Sequence, residues 1–220
     1  MIRLGGGARS WREVRFAVLD FEATGLDLER DHVLSFGVVP VERGRVRLAD
    51  AVYRVVRPPI TVPAASIRVH GIRPSELERA PRLEDVLDEL VEALRDRVLV
   101  AHAAGVELGF LRRIRRQYGR PRVRRAIDVL DLADELARRK PTSPAPPSER
   151  LAVLAAAHGV PVARTHHAFS DALTTAQLFL VLATRLEHLG AGRVRDLRRA
   201  GRLRARGALR AAHGRSESGS

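Results

Sequence analysis

The 220 residues of the chain, 45% of them hydrophobic, suffice for one folded core and a short appendage. They include neither the roughly 18-residue apolar run of a membrane-spanning helix nor a signal peptide, so we expect a cytoplasmic protein that binds no membrane. The absence of cysteine excludes disulfides and thiolate metal sites. The net charge of +13 favours a polyanionic partner, although a bias toward arginine is the alternative, since Lys140 is the only lysine.

The first half of the chain has the patterning of strands followed by a helix. The predicted strands cover residues 14–22, 32–41 and 45–56. Arg43-Gly44 is the expected hairpin turn between the last two. Pro58-Pro59 and Pro63 then predict an extended loop. Apolar residues at helical spacing predict an amphipathic helix over 82–96.

The second half alternates short apolar strands with helices. The predicted elements are a buried strand at 98–101, a helix at 107–118, a strand at 125–128, a helix at 129–139 and a largely buried helix at 168–188. Four prolines make 140–148 a mobile surface loop. Ser148 is the expected N-cap of a further helix, which Gly159 and Pro161 end.

This element order predicts an α/β fold in which helices flank a mixed central sheet. We divide the chain into an N-terminal extension (1–13), one folded domain (14–189) and a basic, flexible C-terminal tail (190–220). Trp11 lies in the extension and receives no role. The tail's arginines could contact nucleic acid, or a polymerase or other replication or repair protein.

Acidic and imidazole side chains recur at the ends of the predicted elements. Asp20 and Glu22 close the first apolar strand, and their i, i+2 spacing directs both carboxylates to one face. Two acids at the end of a core strand are costly unless a cation neutralises them. Either His166 or His167 could converge with Asp171, at the start of the last helix. Glu107 opens the helix that follows the strand at 98–101.

These residue types allow the chemistry of a two-metal nuclease. Asp20 could bridge two divalent cations, with Glu22 and Asp171 completing the ligands and Glu107 acting through water. A histidine could take the proton from the attacking water. Each feature has a simpler explanation: an Asp-x-Glu pair is often a solvated strand edge, and Glu107 suits any helix N-terminus.

Taken together, the segments resemble the DEDDh family of 3′–5′ exonucleases. The resemblance spans about residues 14–187 and rests on five segments: Val18–Asp27, Val69–Ile72, Leu99–Leu111, Asp128–Leu130 and His166–Ala172. The family segment that corresponds to Asp128 starts a helix and is usually not catalytic. The third motif selects His166 over His167 as the general base.

The resemblance implies a ribonuclease H-like fold of three layers. It also implies hydrolysis of single-stranded nucleic acid from the 3′ end to nucleoside 5′-monophosphates, with two Mg²⁺ or Mn²⁺ ions. DNA is the favoured substrate and RNA the alternative, since no motif for recognition of the 2′-OH separates them. The implied catalytic residues are Asp20, Glu22, Glu107, His166 and Asp171, and the implied substrate-binding residues are Ala23, Thr24, Gly25 and His70. For the latter set, a turn at Thr24-Gly25 and a capping role for His70 are the alternatives.

The chain departs from the family pattern at several positions. The family has aspartate in place of Glu107, asparagine in place of Ala103, phenylalanine in place of Val106 and often an acid in place of Ala65. Glutamate keeps the charge but moves it outward by one methylene. A catalytically weakened nucleic-acid-binding module and a polymerase accessory subunit therefore stand as alternatives to an active exonuclease.

Overall fold

The computed structural model describes residues 9–123, 125–140, 150–162 and 165–201. The strands in these ranges are β1 (Phe16–Ala23), β2 (Val33–Glu42), β3 (Arg45–Val46), β4 (Val52–Val55), β5 (Val98–Ala101) and β6 (Ala126–Asp128). The helices are α1 (Ala64–His70), α2 (Pro74–Arg79), α3 (Leu83–Leu94), α4 (Gly105–Tyr118), α5 (Val129–Arg139), α6 (Leu151–Ala157), α7 (Ala168–His188) and α8 (Val194–Ala200). Among them, no helix combines the length and apolar character needed to cross a membrane.

Strand β1 is the centre of a mixed sheet whose order is β3-β2-β1-β5-β6, with β4 also paired to β2. It runs antiparallel to β2 and parallel to β5, and β5 runs parallel to β6. Both faces of β1 are covered, which explains why Phe16–Leu19 is a continuous apolar run rather than an alternating one. The predicted mixed sheet is confirmed, and β5, α5 and α7 have the predicted bounds.

Alternate side chains of β1 belong to different cores. Phe16 and Val18 pack with α5 and α7 on one side of the sheet, and Ala17 and Leu19 pack with α3 and α4 on the other. The sheet is therefore the middle of three layers, as predicted. Because side chains alternate along a strand, Asp20 falls on the α7 side, the same side as Phe16 and Val18.

The predicted strand at 45–56 is wrong in its middle. Val46 ends β3, and a 3₁₀ turn at Leu48–Asp50 separates it from β4. The ladder with β2 stops where it reaches Pro40, which has no N–H to donate to a neighbouring strand. The chain turns there, with the Arg47 backbone N–H donating to the Pro40 carbonyl.

The extended loop predicted after Pro63 contains two short helices instead. Pro63 is the N-cap of α1, and Pro74 occupies the first turn of α2. Proline is favourable in the first turn because the N–H it lacks would have no helical partner. The same residues that indicate a break in a strand therefore begin helices here.

Both ends of the predicted domain extend further than the sequence indicated. Trp11 is 1% exposed and makes an edge-to-face contact with Phe179 at 5.9 Å between ring centroids. Its backbone N–H donates to the Gly192 carbonyl at 3.1 Å, which joins the two ends of the described chain. Helix α8 packs on the core through Val194, Leu197 and Ala200, so residues 190–200 are folded rather than a flexible tail.

Two further expectations fall outside the described residues. The loop at 140–148 lies almost entirely in 141–149, and the remaining tail begins at residue 202. The predicted N-cap is wrong, because Arg150 and not Ser148 is the N-cap of α6. The helix after Ser148 ends at Ala157, two residues before Gly159, which has a φ of 77°.

The buried side of α8 gives a stability prediction. Leu197→Ala should lower the free energy of unfolding by about 2–5 kcal/mol, because it removes a fully buried side chain from a packed core. Arg199→Ala, on the exposed side of the same helix, should change it by less than about 0.5 kcal/mol. Urea denaturation of both variants measures the difference. Equal and negligible effects would support a flexible tail beginning at residue 190.

Candidate active site

The end of β1 carries the first two predicted site residues. Asp20 and Glu22 are partly buried and lie opposite Gly37 and Ser35 of β2. The pairing with β2 is irregular between Glu22 and Ala23, so the strand leaves the regular sheet just after the second acid. Bulges of this kind commonly redirect side chains beside active sites.

Helix α7 brings the third carboxylate to the same place. Asp171 lies in its first turn, as predicted, and Asp20, Glu22 and Asp171 each offer an oxygen within 4.8 Å of the others. Residues about 150 positions apart in the chain thus form one acidic cluster. The sequence analysis predicted this meeting, and the structure places all three carboxylates together.

Gly37 permits the close approach of α7 and was missed by the sequence analysis. A Cβ at this position would overlap the Ala168 carbonyl and lie 2.6 Å from the Phe169 backbone nitrogen. The first turn of α7 therefore rests directly on the backbone of β2, opposite Asp20. No sequence signal apart from a glycine inside an apolar strand pointed to this contact.

The two adjacent histidines have different roles in the fold. His166 is exposed, has a φ of 57°, and donates its backbone N–H to Asp171 Oδ2 at 2.8 Å. His167 is the N-cap of α7, accepts the Ser170 backbone N–H and stacks on Tyr53 at 4.6 Å between ring centroids. The geometry leaves the His166 imidazole available to a substrate and uses His167 to hold the helix start.

Glu107 lies in the first turn of α4, close enough to the cluster that its charge raises the pKa of Asp20. The pairing of Val18 with Val100 ends β5 beside Leu19, so α4 begins near the acidic end of β1. Glu107 is 5% exposed, and its Oε2 atom has no hydrogen-bond partner among the described residues. A buried carboxylate oxygen without a donor is costly unless a cation or water fills the gap.

Asp128 braces the loop that leads to Glu107. Its carboxylate accepts the backbone N–H groups of Ala103 at 3.2 Å, Ala104 at 2.8 Å and Leu130 at 3.0 Å. Burial raises the pKa of Asp128 to about 6. The expectation that Asp128 starts a helix is confirmed, since it is the N-cap of α5.

Burial and mutual repulsion dominate the electrostatics of the cluster. Burial, followed by the charges of Glu107, Asp171 and Glu22, raises the pKa of Asp20 well above its ordinary value. Burial and the charge of Asp171 raise the pKa of Glu22 to about 7. Burial is also the main cause of the raised pKa values of Glu107 and Asp171. Four carboxyl groups with raised pKa values in one place favour the binding of a divalent cation, whose positive charge replaces that of the protons.

Of the predicted substrate-binding residues, Thr24 and Gly25 shape the loop after β1. The Thr24 hydroxyl donates to Asp31 Oδ1 at 2.7 Å and accepts the His32 backbone N–H at 3.0 Å. A Cβ at Gly25 would overlap the Asp31 carboxylate. Both residues therefore have a structural role in this turn, and their contact with substrate stays a prediction.

Ala23 and His70 connect α1 to the end of β1. The Ser66 hydroxyl of α1 donates to the Ala23 carbonyl at 3.2 Å. His70 ends α1, is 2% exposed, and accepts the Ile72 backbone N–H on Nδ1 at 3.0 Å. Burial lowers the pKa of His70, which keeps the ring neutral. The capping role is thus present, and a substrate contact through either residue stays a prediction.

The fold and the site together define a class of protein: a three-layer α/β domain with carboxylates gathered at the end of its central strand. The sequence profile of a family described as exonuclease, RNase_T, matches residues 17–179. The chain belongs to this exonuclease family, which depends on divalent metal ions. The predicted family is therefore confirmed, and the chain is a nuclease domain.

Two curated relatives illustrate this membership. A PolC-type DNA polymerase III of Thermotoga maritima is 31% identical over 186 residues, which are 84% of this chain and 13% of that protein. The 3′–5′ exonuclease DinG of Staphylococcus aureus is 29% identical over 178 residues, which are 79% of this chain and 19% of that protein. The chain thus corresponds to less than a fifth of the length of either relative.

Solved structures share the fold at low sequence identity. Escherichia coli exonuclease I in complex with a dT13 oligonucleotide has a TM-score of 0.69 and 17% identity, covering 80% of this chain and 42% of that one. The nuclease domain of 3′hExo, a DEDDh family member bound to rAMP, has a TM-score of 0.65 and 17% identity, covering 80% and 94%. These likenesses confirm the predicted ribonuclease H-like fold.

The raised pKa of Glu22 predicts how stability depends on pH without metal. Glu22 holds its proton up to a pH of about 7 when folded, against an ordinary value of 4.5 when unfolded. Its stabilising contribution is therefore complete below the unfolded value and is lost as the pH rises through the folded one. In EDTA, the thermal midpoint should fall across this window.

Glu22→Gln is the matched control for this prediction, because the amide cannot ionise. Its thermal midpoint should fall less over the same window than that of the wild type. Added Mg²⁺ or Mn²⁺ should reverse the fall in the wild type, since binding to the folded state stabilises it. Parallel pH curves for the wild type and Glu22→Gln in EDTA would show that this carboxyl group is not strained in the fold.

Proposed function

We propose that the domain is a 3′–5′ exonuclease that hydrolyses single-stranded nucleic acid, DNA in preference to RNA, and releases nucleoside 5′-monophosphates. The observation that carries this proposal is the meeting of Asp20, Glu22 and Asp171 within 4.8 Å, beside an exposed His166 tied to Asp171. The DinG relative is a 3′–5′ exonuclease, which supports the proposed direction, and exonuclease I binds a dT13 oligonucleotide, which supports the proposed substrate.

The residues of the cluster fit a pair of Mg²⁺ or Mn²⁺ ions. They offer carboxylate oxygens only, the ligands that these ions favour, and the buried Oε2 of Glu107 has no other described partner. Asp20, Glu22 and Asp171 would hold the ions, and Glu107 would contribute through water. When bound, the two ions supply positive charge to the attacking and leaving oxygens of the phosphodiester.

The protein residues position the ligands and move the proton. Asp171 accepts the His166 N–H, so the backbone of the loop is fixed relative to the cluster. The exposed His166 imidazole takes the proton from the attacking water. Asp128 fixes the start of α4 and thereby the position of Glu107.

The predicted protein partner and cellular compartment remain as proposals. A polymerase, replication or repair partner agrees with the polymerase relative, and we assign that contact to residues 202–220, since residues 190–200 are folded. The arginines in this segment are Arg202, Arg204, Arg206, Arg210 and Arg215. We also propose a cytoplasmic site of action.

The carboxylates should respond differently to substitution according to their roles. Asp20→Ala should abolish hydrolysis while leaving the domain folded, because it removes a metal ligand and also relieves repulsion. Glu107→Asp should lower the rate of hydrolysis only slightly, since aspartate is the residue that the family has at this position. Glu107→Gln should lower the rate more, since it removes a charge. Digestion of 3′-labelled and 5′-labelled single-stranded DNA and RNA, with Mn²⁺ or EDTA, measures rate and direction.

Asp50→Asn is the control for lost acidic charge, because Asp50 is exposed and its carboxylate pairs with Arg47, outside the site. Its activity should equal that of the wild type. Full activity of Asp20→Ala would remove the two-metal proposal. Metal-dependent binding without hydrolysis by the wild type would instead favour a catalytically weakened binding module.

His166 should be needed for turnover rather than for folding. His166→Ala should lower kcat by about 10²–10⁴-fold, the usual worth of a positioned base. His167→Ala should mainly lower stability, by about 0.5–2 kcal/mol, because it removes an N-cap. Single-turnover rates and thermal midpoints of both variants separate the two roles, and a normal kcat for His166→Ala would contradict the assignment.

A further inference from the structure

The outer face of α4 carries three exposed arginines that the proposed mechanism does not use. Arg112, Arg115 and Arg116 line one open surface concavity of about 460 Å³. The Arg112 Nε donates to the Leu108 carbonyl at 2.9 Å, and Arg116 pairs with Glu29 at 3.0 Å. Arg115 has no ion pair or side-chain hydrogen bond to the residues that the structure describes.

This arrangement is unfavourable for the helix itself. The spacings between the three residues are i, i+3 and i+4, so their charges are neighbours on the helix surface and repel one another. The helix dipole compensates Arg115 and Arg116, which lie in the last turn. It does not compensate Arg112, which lies in the middle of α4. The pair with Glu29 is exposed and contributes little.

The arginine face belongs to the helix whose first turn carries Glu107. At 1.5 Å of rise per residue, Arg112 and Arg116 lie about 8 and 14 Å further along its axis, on the exposed side of α4, whereas Glu107 is on its buried side. Arg113 donates to the carbonyls of Leu28 and Asp31, which fastens the loop after β1 onto α4. Arg113 and the Arg116–Glu29 pair therefore attach α4 to the loop between β1 and β2.

The ions proposed for the acidic cluster would supply positive charge only at the phosphodiester that is cleaved, so the rest of the strand needs positive charge elsewhere on the protein surface. We propose that Arg112, Arg115 and Arg116 bind the phosphodiester backbone of the substrate strand, several nucleotides from the 3′ end that enters the acidic site. The inference rests on the proposed exonuclease function and deepens it. Guanidinium groups donate two parallel hydrogen bonds to a phosphate, so adjacent arginines suit successive phosphates of one strand.

A triple substitution tests the arginine face. In R112Q/R115Q/R116Q, KM for a long single-stranded oligonucleotide should rise about tenfold or more at low salt with little change in kcat, because three phosphate contacts are lost. The slope of log affinity against log salt should flatten by about 2, at roughly 0.7 per phosphate contact on single strands. The difference in affinity between a long strand and a dinucleotide should shrink accordingly.

The control is R43Q/R45Q/R47Q, which removes the same charge from exposed arginines beside β3, at the opposite end of β1 from Asp20. It should leave KM and the salt slope close to those of the wild type. Equal changes of KM and salt slope in the two triple variants would show that overall charge, and not the arginine face, determines affinity, and would overturn the proposal. An unchanged KM in R112Q/R115Q/R116Q would overturn the proposal and favour a protein partner at this surface.

Fluorescence anisotropy of labelled single-stranded DNA in EDTA provides a readout that does not need hydrolysis. The α4 variant should bind more weakly than the β3 variant in this assay as well. If the wild type hydrolyses no substrate but the anisotropy difference persists, the proposed exonuclease activity is wrong and strand binding by the arginine face is supported. If hydrolysis occurs but the anisotropy difference is absent, strand binding by the arginine face is wrong and the proposed exonuclease activity is supported.

Discussion

The candidate site is organised around one unfavourable interaction: four carboxylates are held close together in a partly buried place, where burial and mutual repulsion raise their free energy. Burial and mutual repulsion raise the pKa values of Asp20, Glu22, Glu107 and Asp171, so each charge is destabilised by the fold that assembles it. Unfavourable charge arrangements of this kind persist only where the surrounding structure imposes them. They occur most often at binding or catalytic sites. Divalent cations relieve the strain, because they replace the missing positive charge without a proton.

Backbone contacts, rather than the acids themselves, force the cluster together. Gly37 lets the first turn of α7 rest on β2, which brings Asp171 to β1. Asp128 ties the loop before α4 to the end of β6, which fixes Glu107. Neither contact uses the carboxylates of Asp20, Glu22, Glu107 or Asp171. Packing and hydrogen bonding outside the cluster therefore position its carboxylates.

The sequence predicted the elements whose patterns are local and continuous. The apolar run before Asp20 and the periodicity of 168–188 were enough to place the strand, the last helix and their acids. It missed what depends on distant contacts. Trp11 packs against Phe179 and donates its backbone N–H to the Gly192 carbonyl, just before α8, and no local pattern links these positions. The close approach at Gly37 is likewise visible only when β2 and α7 are packed together.

The central claim is that this cluster binds divalent cations through the ends of β1 and α7. Anomalous diffraction from crystals grown with Mn²⁺ tests it most directly, because the scattering locates the ion independently of activity. The account predicts Mn²⁺ peaks within coordination distance, about 2–2.5 Å, of the carboxylate oxygens of Asp20, Glu22 and Asp171. Fully ordered carboxylates with no Mn²⁺ peak among them at saturating concentration would contradict it.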